Sequence, residues 1–372
     1  NNEHKKLNVP NLRFPEFQGE WEKCKLGDYG KVVTGNTPPT KDIENYENGT
    51  YLWASPADLG IIKSITETKT MLSAQGFSKT RTLPKGSVLV TCIGSTIGKA
   101  GMATKEMSTN QQINSIVVND NNDNEFVYYA IQSAFPRYLS SIAVQAVPII
   151  SKSAFELLPN NRPYLQEQKK IGNFLSLLDE RIAAQNKIID KLQSLIKGIA
   201  QNIVRNNKPT VRFSECLECK SSTLQESDVC EQGTYPVYGA NGIVGYLDNY
   251  NTEGEAVYII KDGSGVGTVS YVKGKCSATG TLNTLQAKEG YSLQYLYYLL
   301  KVFNFEPYKT GMAIPHIYFK DYGKAKVFCP SYTEQLQYAR LLSAIDNKLS
   351  AEQHFLTNLS LQKQYLLRQM FI

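Results

Sequence analysis

The chain has 372 residues, 42% hydrophobic and 20% charged, which is too long for one ordinary core and enough for two or three domains. A net charge of +6 and a pI near 8.7 permit nucleic acid as a partner without requiring it. No apolar run reaches the ~18 residues of a membrane span, and the polar opening Asn-Asn-Glu-His-Lys-Lys is not expected to be a signal peptide.

Read in chain order, the sequence repeats. Residues 10–14, Pro-Asn-Leu-Arg-Phe, return at 209–213 as Pro-Thr-Val-Arg-Phe, an offset of 199. Residues 86–94 (GSVLVTCIG) and 114–120 (NSIVVND) are β-branched runs bounded by glycine or asparagine and predict strands. Residues 124–135 (NEFVYYAIQSAF) predict an amphipathic helix. In the second half, 254–263 and 267–275 predict strands, and 292–303 (SLQYLYYLLKVF) a helix. Residues 163–183 (PYLQEQKKIGNFLSLLDERIA) return at 330–350 (PSYTEQLQYARLLSAIDNKLS) with an offset of 167, so the second copy is 32 residues shorter (199 − 167) between its ends.

Those last stretches predict two long helices. Ile171, Phe174, Leu178, Ile182, Ile189, Leu192, Ile196, Ile199 and Ile203 recur at spacings near 3.5, with Gln185 the polar member. The second series is Leu341, Ile345, Leu349, Leu356, Leu359, Leu366 and Met370, with Glu352 at the position 167 residues after Gln185. A buried polar residue in such a seam can fix register and orientation. About 40 residues span ~60 Å at 1.5 Å each, so each helix overhangs its own globule and needs a partner. The expected fold is α+β: two mixed α/β globules, 1–160 and 208–328, separated by helices 161–207 and 329–372 that form an antiparallel coiled coil with pseudo-two-fold symmetry.

The glycine turns carry the candidate chemistry. TCIGSTIGKAG (91–101) nearly spells a phosphate-binding loop, but Ile93 stands where glycine is required and Ala100 where a hydroxyl would hold Mg²⁺. It aligns instead with IIKDGSGVG (259–267) of the second half, and Asn114 aligns with Asn283. Glycines between strands allow positive φ and close backbone approach, as to a phosphate. Beside them lie side chains suited to phosphates and base edges. In the first half these are Lys79, Arg81, Ser95, Thr96, Lys99, Asn110, Gln111 and Gln112. In the second they are Asn241, Tyr246, Lys261, Ser264, Lys273, Lys275, Thr279 and His316.

No catalytic or metal constellation is visible. Cys216 and Cys219 form one C-x-x-C without a second pair, and the three histidines are His4, His316 and His354, so no metal site is expected and the thiols read as reduced. No base-gripping Asn/Asp-Pro-Pro-Tyr/Phe and no nuclease triad occurs; Asn36–Thr40 (NTPPT) has the prolines alone.

Residues 10–39 (PNLRFPEFQGEWEKCKLGDYGKVVTGNTPP) and the two long-helix openings, each with its Glu-Gln step and later Asp179 or Asp346, resemble the specificity subunits of type I restriction-modification enzymes. The resemblance covers essentially the whole chain; the second globule departs in lacking the tryptophan of the first (Trp21). The resemblance implies a non-catalytic, sequence-specific DNA-binding subunit whose two target-recognition domains read a bipartite, asymmetric double-stranded target while the helices set the gap. It implies recruitment of two modification (methyltransferase) subunits, and of restriction/translocase subunits in the full complex. S-adenosylmethionine, ATP and Mg would sit on those partners, with no cofactor on this chain, no membrane, and a bacterial cytoplasmic setting in DNA methylation and defence. Two other readings stay open: a non-catalytic scaffold whose duplicated domains hold proteins or glycans, and a solitary enzyme using His316 or Cys92.

Overall fold

The computed structural model describes residues 7–60, 62–141 and 148–372. The chain divides into two compact units, residues 1–185 with 355–372 and residues 186–354. Each contains one globule and a stretch of each long helix.

In the first unit a five-stranded sheet has the order Gly30–Thr34, Ile113–Val118, Val88–Thr91, Ala100–Ala103, Ser64–Ile65. Its pairs are antiparallel except the last. A second sheet has the order Thr70–Leu72, Tyr51–Ala54, Met107–Thr109, Thr82–Leu83, and its central pair is parallel. The strand Val88–Thr91 is wholly buried because both its faces are covered, which is why it reads as a continuous apolar run. The helix Asn124–Ser141 supplies the largest block of the core, with Phe126, Tyr129, Ile131 and Phe135 packed against the sheet.

The second unit repeats this plan. Its main sheet runs Leu217–Ser221, Leu282–Ala287, Glu255–Ile260, Val269–Lys273, all antiparallel. A three-stranded sheet pairs Tyr235–Gly239 in parallel with Ser277–Ala278. The helix Leu293–Val302 takes the place of 124–141. The ladders match residue by residue: Asn114 faces Thr34 and Val90, and Asn283 faces Ser221 and Ile259. Asn114 Oδ1 accepts a hydrogen bond from the Thr34 hydroxyl at 2.6 Å, and Asn283 Oδ1 accepts one from Ser221 at 2.9 Å.

The long helices span Leu165–Asn206, 42 residues, and Tyr332–Gln369, 38 residues. Within the first unit they run antiparallel. Asp179 pairs with Lys363 at 2.6 Å, Arg181 lies over the Phe355 ring, and Ile171, Leu175 and Leu178 share a core with Leu359, Leu366 and Met370. Gln185 is buried there. Within the second unit Ile189, Ile196, Ala200 and Ile203 are buried on the first helix, and Ala339, Leu342 and Leu349 on the second. Ile182, Leu192, Ile345 and Leu356 are half-buried, and Glu352, also half-buried, pairs with Lys348.

Two expected seam members stand elsewhere. Phe174 is 38% exposed and Leu341 50% exposed, while Leu175 and Leu342 are fully buried in their places. These are equivalent positions in the two copies (341 − 174 = 167). Each lies near the start of a long helix, where the helix packs on its own globule. The buried face is turned by one residue there, about 100°. Phe174 instead meets Phe14 edge-on at 5.8 Å.

The repeated Gln and Asp positions now have a reason. Gln168 donates from Nε2 to the Pro163 carbonyl and accepts from the Asp123 N–H at 3.0 Å; Gln335 does the same with Pro330 and with Ser292 at 2.9 Å. Each glutamine thereby binds the start of its long helix to the start of the globule's helix. The Tyr129 hydroxyl donates to Asp179 at 2.6 Å and Tyr298 to Asp346 at 3.2 Å. Burial and the neighbouring carboxylate push both phenols well up, so both stay donors.

Candidate nucleic-acid interface

In each globule the main sheet brings four strand ends to one edge, and the glycine turn crosses that edge. In the first unit Gly94 has φ +93° and Gly98 φ +90°. Gly98 N–H donates to the Thr91 carbonyl at 3.0 Å, and Gly94 N–H to Pro148 at 3.1 Å. In the second, Gly263 and Gly267 have φ +96° and +91°, and their N–H groups donate to Pro315 and Ile260 at 3.0 and 2.9 Å. The last glycine of each turn, Gly98 or Gly267, lies against an aromatic ring. A Cβ on Gly98 would stand 2.5 Å from Phe135, and one on Gly267 2.9 Å from Phe305. Those two glycines serve packing. The first of each pair faces open space: a Cβ on Gly263 would meet nothing within 4 Å, and one on Gly94 only the Gln112 amide at 4.0 Å.

Most of the first set gathers at this edge. Ser95 and Gln111 are exposed, and Thr96 and Gln112 half-exposed. Asn110 is 7% exposed and acts from beneath: its Oδ1 accepts the Gln112 N–H at 3.0 Å and its Nδ2 donates to the Gln112 side chain at 3.1 Å. It holds Gln112 in place and is not itself presented. Arg81 donates to the Thr34 carbonyl at 2.8 Å at the same strand end. Lys79 is drawn aside by Asn45 at 2.9 Å and Asp42 at 3.5 Å. Lys99 is exposed, its stem laid against Gly60.

Asn36 and Thr37, absent from the expected set, organise this edge. Asn36 donates to the Lys79 carbonyl and accepts the Arg81 N–H, both at 2.9 Å, and Thr37 donates to Gln111 at 2.5 Å. The Asn-Thr-Pro-Pro run was their signal: prolines hold that loop extended, so its polar side chains point at neighbours.

The second set divides. Lys261 and Ser264 sit on the glycine turn, His316 Nδ1 lies 2.7 Å from Asp262 Oδ1, and Lys261 Nζ is 3.7 Å from the same carboxylate. Asn241 is exposed in the turn between Tyr235–Gly239 and Gly242–Leu247, at this end. Thr279 is 1% exposed and bonded to Thr281; it occupies the place of Asn110, each N–H donating at 2.9 Å to the strand beside it. Tyr246 lies along the hairpin opposite Pro236. Lys273 and Lys275 lie at the opposite end of the sheet, against Glu255 at 3.3 Å and Glu253 at 3.7 Å. Hairpin alternation alone does not say which end of a strand pair a residue occupies, so the sequence places those two beside the glycine turn and the structure places them away from it.

Among the described residues the edge shows no nucleophile paired with a base. Cys92 is 1% exposed, and burial pushes its thiol up to about 12, so it is not a thiolate at neutral pH. The His316 ring has Asp262 as partner, with no hydroxyl or thiol bonded to it among the described residues. Among the described residues no group of three or more metal-ligating side chains occurs, and no helix is long and apolar enough to cross a membrane.

Two matching polar edges on two copies of one α+β globule, each joined to a long helix, define an internally duplicated protein. The type I restriction modification DNA specificity domain model matches residues 18–194 and again 210–359, and the chain belongs to that family. It is 31% identical over 182 residues to the type I restriction enzyme MjaIX specificity subunit of Methanocaldococcus jannaschii, covering 46% of this chain and 42% of that one. To the HindI specificity subunit of Haemophilus influenzae it is 28% identical, over 47% and 40%. The chain thus spans under half the length of these two relatives. To the EcoprrI specificity subunit of Escherichia coli it is 24% identical over 88% of each chain. The crystal structure of a type I restriction-modification S subunit from M. genitalium has the same fold, with a TM-score of 0.69 and 20% identity over 98% of this chain and 99% of that one.

Proposed function

We propose that the chain is the non-catalytic DNA-specificity subunit of a type I restriction-modification complex, each globule reading one part of a bipartite, asymmetric duplex target. The observation that carries this is the repeated edge: glycine turn, anchored polar turn and strand ends superpose in the ladders, while the presented side chains differ. Where the first copy has Ile93 paired with Ile149, the second has Asp262 paired with His316, and Lys261 stands where the first copy buries Cys92. One scaffold with two sets of presented groups suits two unrelated half-sites, which a symmetric homodimer cannot read.

Residues 1–160 and 208–328 are the target-recognition domains in this reading, and the helices between and after them set the gap. Two modification subunits bring S-adenosylmethionine and adenine methylation, and restriction/translocase subunits bring ATP and Mg; the setting is the bacterial cytoplasm. Selection of duplexes from a randomised pool by the full chain tests the reading, because a protein or glycan scaffold would retain none.

A further inference from the structure

Residues Thr310–His316 form a closed loop on the edge of the second unit. Thr310 N–H donates to the His316 carbonyl at 2.9 Å, and His316 N–H to Thr310 at 2.8 Å. Gly311 has φ +89°, and a Cβ there would stand 2.3 Å from the Ile314 carbonyl oxygen, so the turn depends on glycine. The loop is stitched to the glycine turn by Gly263 N–H to Pro315 O at 3.0 Å, Ile317 N–H to Lys261 O at 2.9 Å, and the His316–Asp262 contact.

At the tip of this braced loop stand Met312, 106% exposed, and Ile314, 57% exposed. Exposed apolar residues are ordinary on a surface. Here the paired backbone bonds of Thr310 and His316 hold them out. At the base of the loop are Lys261 and His316, both against Asp262, and just before it in the chain is Lys309, paired with Glu306. An apolar point rising from an edge of lysines, a histidine and hydrogen-bonding turns fits a nucleic-acid duplex, whose phosphates exchange with the carboxylates for Lys261 and Lys309 while the point enters a base step. Methionine, isoleucine and proline are the side chains that proteins use to open such steps.

We propose that Met312, backed by Ile314, is a wedge that unstacks one base step of the half-site held by the second domain. This rests on the DNA reading above and adds distortion of the duplex to it. The second domain would then distinguish sequences partly by how readily that step opens.

The test uses the full chain and a 40-base-pair duplex carrying a sequence it has selected, with 2-aminopurine placed at each position in turn. Binding is expected to brighten the probe at one step. Met312→Ala, a change at a fully exposed side chain, should abolish the rise and weaken binding about tenfold, the scale of one buried methionine. The salt dependence should be unchanged, because no phosphate contact is lost, and Met312→Leu should keep the rise. Binding with no brightened position, or brightening that survives Met312→Ala, overturns the wedge and leaves the DNA reading standing. A chain that retains no duplex removes both.

Discussion

The Arg13–Glu167 bond offers a sharp test of how the first unit is held together. Glu167 is 1% exposed and accepts from Arg13 Nε and Nη2, both at 2.7 Å, and from Trp21 Nε1 at 3.2 Å. It joins the opening segment of the chain to the start of the long helix. Arg13→Met keeps the methylene packing and leaves a buried carboxylate without its cation, which costs about 3 kcal/mol. With a urea slope of ~2.5 kcal/mol/M, the unfolding midpoint should fall by about 1.2 M. The assay is selective, because both tryptophans, Trp21 and Trp53, lie in the first unit. Tryptophan fluorescence therefore follows that unit. The double variant Arg13→Met with Glu167→Met should recover most of the loss, short of about 1 kcal/mol for the Trp21 bond. A midpoint shift below ~0.3 M for the single variant, or no recovery in the double, would refute the argument that the cation compensates a buried charge.

Gly98→Ala and Gly267→Ala should each cost at least about 2 kcal/mol, since both need positive φ and both crowd an aromatic ring; thermal unfolding would measure it. The same change at Gly263 meets strain alone and should cost less. For DNA, Lys261→Ala should weaken binding to all duplexes and flatten the salt dependence, while Gln111→Ala should relax preference at one base pair. Competition binding at two salt concentrations separates the two effects.

The strand and helix pattern was legible because the repeat supplied it twice. Strands expected at 86–94 and 254–263 are found at Val88–Thr91 and Glu255–Ile260, and helices expected at 124–135 and 292–303 at Asn124–Ser141 and Leu293–Val302. The long seams followed from their period near 3.5 residues. The one-residue shift at Phe174 and Leu341 was not legible, because an apolar pair such as Phe174-Leu175 does not say which member faces a globule.

Site residues were harder to place. Asn110 and Thr279 have side chains suited to base edges, yet the parallel strand pairing buries both, a contact between segments over 40 residues apart in the chain. Met312 gave no signal, since exposure belongs to the folded loop and not to the residue type. The Arg13–Glu167 bond spans 154 residues, and only the return of Arg-Phe at 212–213 hinted that the arginine matters.

The most direct measurement is the sequence of duplexes that the full chain retains from a randomised pool. Two separate blocks of preferred bases, unlike each other and divided by a gap of constant length with no preference, are the predicted result. A single unbroken block, two blocks with a variable gap, or a pool no different from the input would contradict the account.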